Sequence, residues 1–122
     1  MIDTASNTVI STVDILLPLW VAITPDGSRA YVTQSEDSDS VSVIETATNT
    51  VTATVGVGRA PFGIAITPDG TRAYVANQSS DSVSVIDIAS NTVIATIEVG
   101  SIPFDVGISS DGSRAYGRES VF

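Results

Sequence analysis

The chain of 122 residues contains no cysteine and no histidine. Without cysteine there is no disulfide, no thiolate metal site and no thiol nucleophile. Without histidine the usual acid–base group of neutral pH and the commonest metal ligand are missing. A serine or threonine nucleophile would also lack its ordinary base. Lysine is absent too: all five basic residues are arginine, against fourteen acidic ones, for a net charge of −9. Phosphate backbones and anionic lipid surfaces both require a basic footprint, so neither nucleic acid nor a membrane surface is expected as a partner. No apolar run approaches the roughly eighteen residues of a membrane-spanning helix, so no membrane insertion is expected. The opening Met1-Ile2-Asp3-Thr4 has neither a basic region nor an apolar core and does not read as a signal peptide. Glycine-rich phosphate loops are missing as well, and no cofactor is expected.

What the chain does contain is Val, Ile, Thr, Ser and Ala in strand-favouring proportions, with no helical period anywhere. It is also periodic. Pro61-Phe62 recurs as Pro103-Phe104, and Asp26-Gly27, Asp69-Gly70 and Asp111-Gly112 form a second series. Ser40 to Ile44 matches Ser82 to Ile86, and Asn7-Thr8-Val9 recurs as Asn49-Thr50-Val51 and Asn91-Thr92-Val93. A spacing of about 42 residues separates the copies, which places the chain among repeat architectures.

The central copy divides into four expected strands: A at Gly63 to Thr67, B at Arg72 to Ala76, C at Ser82 to Asp87 and D at Val93 to Val99. Thr67-Pro68-Asp69-Gly70 suits a type I turn between A and B, and Ala89-Ser90-Asn91-Thr92 a tight turn between C and D. Four short strands in a unit of about 40 residues predict an all-β fold, a β-propeller of four-stranded blades. A parallel β-helix would need a shorter period, and a sandwich would not repeat so faithfully.

Tyr74-Val75-Ala76-Asn77 and Tyr31-Val32-Thr33-Gln34, each behind a Pro-Asp-Gly-Ser/Thr-Arg-Ala lead, resemble the YVTN repeat of archaeal surface-layer and related bacterial proteins. The resemblance covers nearly the whole chain. It implies a propeller of several blades and an extracellular or cell-surface setting, and it implies no single activity. The third copy departs from the pattern, because Tyr116 is followed by Gly117-Arg118-Glu119.

In order, residues 1–17 read as the end of a strand C plus a strand D (Val9 to Leu16), 18–60 and 61–102 as full repeats, and 103–122 as A, B and the start of C. Glu119 to Phe122 resembles Asp81 to Ser84, and Met1-Ile2-Asp3 resembles Val85-Ile86-Asp87, so tail and head join into one repeat. About three blades fall short of the usual ring of about four to eight, so either chains associate head to tail or the chain is a piece of a larger propeller. Two copies would give roughly six blades, and a two-fold homodimer is the favoured form.

Antiparallel strands put the A–B and C–D turns on one face and the B–C and D–A loops on the other. The turns barely change between copies, which folding alone explains. The loops differ, and a protein or glycan ligand is expected on that second face. Its candidate residues are Trp20, Glu36, Asp37, Asp39, Arg59 and Asp105. Trp20 stands where other copies have Gly63 and Asp105, either stacking on a partner or filling a gap between blades. Glu36-Asp37-Ser38-Asp39 offers oxygen ligands but lacks the spacing and glycine of a calcium loop, so no metal is expected there. Asn77-Gln78-Ser79 is a glycosylation sequon in a secreted product. Asp26, Asp69, Asp111 and Arg29, Arg72, Arg114 recur once per copy and read as architecture, with Phe62 and Phe104 as wedges between blades. No carboxylate pair stands out for glycoside hydrolysis. The expected role is therefore a non-enzymatic interaction or surface-structural module. The alternative is a ligand- or carbohydrate-binding propeller or lyase-type enzyme with its site at the channel mouth.

Overall fold

The structure, a computed structural model, describes residues 1–6, 8–9, 12–13, 15, 18–34, 39–99 and 106–117. Strands β1 (Ile2–Asp3) and β2 (Thr8–Val9) form a leading antiparallel pair. The first full sheet runs β3 (Pro18–Ile23), β4 (Arg29–Gln34), β5 (Ser40–Glu45) and β6 (Thr50–Gly56), side by side in chain order. The second runs β7 (Pro61–Ile66), β8 (Arg72–Asn77), β9 (Ser82–Asp87) and β10 (Thr92–Glu98). A trailing pair, β11 (Val106–Ile108) and β12 (Ala115–Gly117), ends the described chain. Every pairing is antiparallel, as in propeller blades built of up-and-down strands. Among the described residues no helix is long and apolar enough to cross a membrane.

The expected strand C of the central copy coincides with β9. Strand A begins earlier than expected, at Pro61, because a bulge between Pro61 and Ile64 carries the pairing past Gly63. Strand B extends to Asn77, and strand D is shifted one residue toward the N-terminus. Of the expected strand D at Val9 to Leu16, Val9 lies in β2; residues 12, 13 and 15 lie in no strand, and 10, 11, 14 and 16 lie outside the described residues. The stub Glu119 to Phe122 also lies outside them.

Each A–B turn closes in the same way. Gly27 N–H donates to Thr24 O at 2.8 Å, Gly70 N–H to Thr67 O at 2.9 Å and Gly112 N–H to Ser109 O at 2.8 Å. The glycines sit at φ of 75°, 74° and 75°, a left-handed geometry that only glycine adopts freely. Asn49 and Asn91 take the left-handed position of the two C–D turns, both at φ 54°.

The core lies between sheets. Side chains alternate along a strand, so each blade offers one face backward and one forward. Tyr31, Val41, Val43 and Val55 of the first sheet pack on Ile64, Ala73, Val75, Ile86 and Ile88 of the second. Ala30, Val32 and Ile44, on the opposite face of the first sheet, pack with Val13 and Ile15. Ala76 of the second sheet packs with Val106 and Ala115 of the trailing pair. The third strands, β5 and β9, are buried on both faces, whereas the outermost strand β10 is largely exposed. That gradient follows from the blade order, in which the fourth strand forms the rim.

Candidate functional site

On the turn face, a cleft of about 410 Å³ opens between the two full blades, lined among others by Asp26, Arg29, Asp69, Thr71 and Asp87. Its carboxylates are committed to the turns. Asp26 Oδ1 accepts from Thr24 Oγ1 at 2.7 Å, Ser28 N–H at 2.9 Å and Ser28 Oγ at 2.8 Å. Asp69 repeats this with Thr67 and Thr71, and Asp111, outside the cleft, with Ser109 and Ser113. Asp87 Oδ2 accepts from Ser90 Oγ at 2.7 Å and from Ser90 N–H at 3.2 Å. Hydrogen bonds hold all three turn aspartates down at a pKa of about 2, led by the Ser28 amide for Asp26, the Thr67 hydroxyl for Asp69 and the Ser113 amide for Asp111. Groups ionised this firmly cannot act as acids at neutral pH. The architectural reading of the recurring aspartates fits this geometry.

Arginine and tyrosine of strand B reach across to the next blade. Arg29 Nη1 donates to Ile88 O at 3.1 Å, and the Tyr31 hydroxyl donates to Asn91 Oδ1 at 2.6 Å. Together they clamp the neighbouring C–D turn. Burial raises the Tyr31 phenol above its ordinary value, with Arg29 pulling the other way. The Arg29–Glu45 ion pair, 3.9 Å and a third exposed at both ends, adds little.

On the opposite face the loops are bonded to one another. Asp39, at φ 33°, accepts the Ala60 N–H on Oδ1 at 3.1 Å. Gln78 and Ser79 donate their amides to Ala60 O and Arg59 O, and the Arg59 N–H donates to Ser80 Oγ. Gly58 lies so close to this turn that an added Cβ would come within 2.6 Å of Asn77 Nδ2 and Ser80 Oγ. Asn77 is fully buried; its amide donates to Ser82 Oγ at 3.2 Å and Ser84 Oγ at 2.8 Å, and its Oδ1 has no hydrogen-bond partner among the described residues. The nitrogen that would carry a glycan is thus enclosed, and the sequon is not available on the folded chain.

Of the six candidate residues, Glu36, Asp37 and Asp105 lie outside the described residues. Asp39 shapes the loop through Ala60, and the Arg59 side chain is exposed. Trp20 was expected in the D–A loop and is corrected to strand β3, opposite Thr33, just past a bulge between Pro18 and Trp20. Its ring packs on Phe62 of the next blade, centroids 5.7 Å apart and tilted by 45°, yet it stays 41% exposed. Thr33 Oγ1 donates to Phe62 O at 2.7 Å beside it. So Phe62 does act between blades; Phe104 lies outside the described residues. Trp20 also lines an apolar cleft of about 300 Å³ with Pro18, Leu19, Val21 and Val32. The buried structural role of Asn77 and the Tyr31–Asn91 clamp were missed from sequence. The recurrence of Tyr and Asn once per copy was the available signal for the clamp.

A profile of the YNCE-like β-propeller family matches residues 15–114. No match was found among curated proteins. Among solved structures, a chain of hydrazine synthase from Kuenenia stuttgartiensis is similar at 38% identity and a TM-score of 0.80, over 89% of this chain and 31% of that one. The β-propeller domain of Cps50 (Swd1) from Myceliophteria thermophila is similar at 11% identity and a TM-score of 0.79, over 90% of this chain and 35% of that one, a likeness of fold alone. The chain therefore spans about a third of the length of either solved chain it matches. The family match covers most of the sequence, and the chain belongs to the YNCE-like β-propeller family.

Proposed function

We propose that the chain, as a member of that family, serves as a non-enzymatic interaction or surface-structural module whose loop face binds a protein or a glycan. The supporting observation is the contrast between its two faces. The cleft on the turn face is lined by carboxylates consumed by their own turns. On the loop face a bonded frame holds an exposed Arg59 side chain, and the partly exposed Trp20 ring occupies the position of Gly63 in the next copy. A rigid frame with variable projections is the usual layout of a recognition surface. An extracellular or cell-surface setting rests on the resemblance to the YVTN repeat, and the net charge of −9 favours solubility there.

The test is a glycan array together with Arg59→Ala and Trp20→Phe variants checked by circular dichroism. Glycan binding that falls in the variants while the fold holds supports the reading. Binding indifferent to both changes would move the site elsewhere.

A second reading, a ligand-binding or lyase-type site at the channel mouth of a closed ring, is favoured by the apolar cleft beside Trp20 on the first strand of its blade and by the likeness to a chain of hydrazine synthase. Catalytic turnover by the assembled protein would replace the first reading with this one.

A further inference from the structure

We infer that N-glycosylation of the Asn77-Gln78-Ser79 sequon and folding of the β7–β10 blade exclude one another. The chain then reaches its native state only where no N-glycosylation precedes folding. This goes beyond the module reading above and holds whichever face binds a ligand.

Glycosylation here is a group transfer. The Asn77 amide nitrogen attacks the anomeric carbon of a lipid-pyrophosphate-linked oligosaccharide. An N–C bond forms, the C–O bond to the pyrophosphate breaks, and the nitrogen gives up one proton, keeping the other. In the folded blade both protons are in use, donated to Ser82 Oγ at 3.2 Å and Ser84 Oγ at 2.8 Å. The modified amide can keep only one of those bonds. Space is tighter still. Asn77 is 0% exposed, and a single carbon added to Gly58 would already lie 2.6 Å from its Nδ2. A sugar ring is far bulkier, and the loop above is bonded down, Arg59 N–H to Ser80 Oγ and Ser79 N–H to Arg59 O. Turning Asn77 outward gives no relief. Its backbone is fixed in β8, paired with Pro61 and Ser82, and the buried Ser82 and Ser84 hydroxyls would lose their donor.

The first blade does the same job without a sequon. There Gln34 stands opposite Ser40 as Asn77 stands opposite Ser82, and Gln34 Nε2 donates to Ser40 Oγ at 2.8 Å. Packing therefore calls for an amide at this position and not for the Asn-x-Ser motif. A sequon acceptor ordinarily sits on a surface loop; this one lies beneath a loop. Transfer to a chain that has not yet folded meets none of these walls, so native burial gives no protection there. A cell-surface setting then requires export after folding or a route without N-glycosylation.

Expression of the full chain behind a cleavable leader in an N-glycosylating eukaryotic host tests this, with bacterial cytoplasmic protein as the folded reference. The wild type should be retained in the cell, protease-sensitive, and lighter after peptide-N-glycosidase treatment. Ser79→Ala removes the sequon at an exposed residue and keeps the amide that bonds Arg59 O. It should be secreted and as protease-resistant as the reference. Ser79→Thr keeps the sequon and should be retained like the wild type. A secreted, protease-resistant wild type, with or without the glycan, would overturn the inference. Retention of Ser79→Ala equal to that of the wild type would overturn it as well.

Discussion

Ile64 and Val21 hold the same place in two copies of one repeat, yet one is buried and the other exposed. The strands that carry them are nearly alike: β7 reads PFGIAI and β3 reads PLWVAI, both behind a bulge. The difference lies outside the blade, in what covers its backward face. Behind β7 stand Tyr31, Val41, Val43 and Val55; behind β3 the described chain places only Val13 and Ile15 against Ala30, Val32 and Ile44. A blade is therefore half a core. Its stability is set by neighbours, as in other arrays where units contact only the next unit.

Large-to-small substitutions should expose this contrast most strongly. Ile86→Ala, fully buried at the closed interface, should cost about 2–4 kcal/mol by urea denaturation. Val21→Ala, at an exposed position, should cost less than about 0.5 kcal/mol. Equal losses at the two sites would break the comparison.

Glycines offer a second contrast, between loop face and rim. Gly58→Ala drives a Cβ into the buried Asn77 amide and should cost about 1–3 kcal/mol. Gly56→Ala meets open space at the end of β6 and should be neutral or stabilising by about 0.5 kcal/mol. Thermal melts of the two variants decide it. If both are neutral, the packing of Asn77 beneath Gly58 is wrong.

Smaller still is the clamp. Tyr31→Phe should cost about 1 kcal/mol, the usual net value of one hydrogen bond. A cycle with Asn91→Gly, which preserves the left-handed turn, should show that the two losses do not add. Tyr116→Phe, on a ring that is 44% exposed, should leave stability nearly unchanged.

The turn aspartates set an acid limit that should be shared by covered and uncovered blades alike. Their pKa falls from 3.8 unfolded to about 2 folded, so the stability they contribute is present above 3.8 and is lost as pH drops toward 2. Urea midpoints should decline through that window, and Asp69→Asn should flatten the decline. A decline complete above pH 5 would point to other groups.

Most of the fold was legible because the repeat supplied it three times over. Pro-Asp-Gly fixed the turns, and the alternation in Ser82 to Asp87 located β9 to the residue. What escaped reading was relational. Trp20 looked like a loop residue because the bulge after Pro18, which carries the strand through it, leaves no mark in composition. The burial of Asn77 escaped because its sequon says nothing of the Ser82 and Ser84 hydroxyls that take its amide. The Tyr31–Asn91 contact joins residues of different copies, and a perfect repeat cannot tell an internal pairing from one to the next blade. The loop-face carboxylates Glu36, Asp37 and Asp105 lie outside the described residues, so that part of the candidate surface rests on sequence.

The absence of native cysteine makes the central contrast directly measurable. Single Val21→Cys and Ile64→Cys variants each carry one thiol, and its labelling rate in the folded protein reports cover at that position. The Ile64→Cys thiol should label slowly at every protein concentration. The Val21→Cys thiol should label quickly, because Val21 is 57% exposed. A Val21→Cys rate as slow as that of Ile64→Cys would contradict the account.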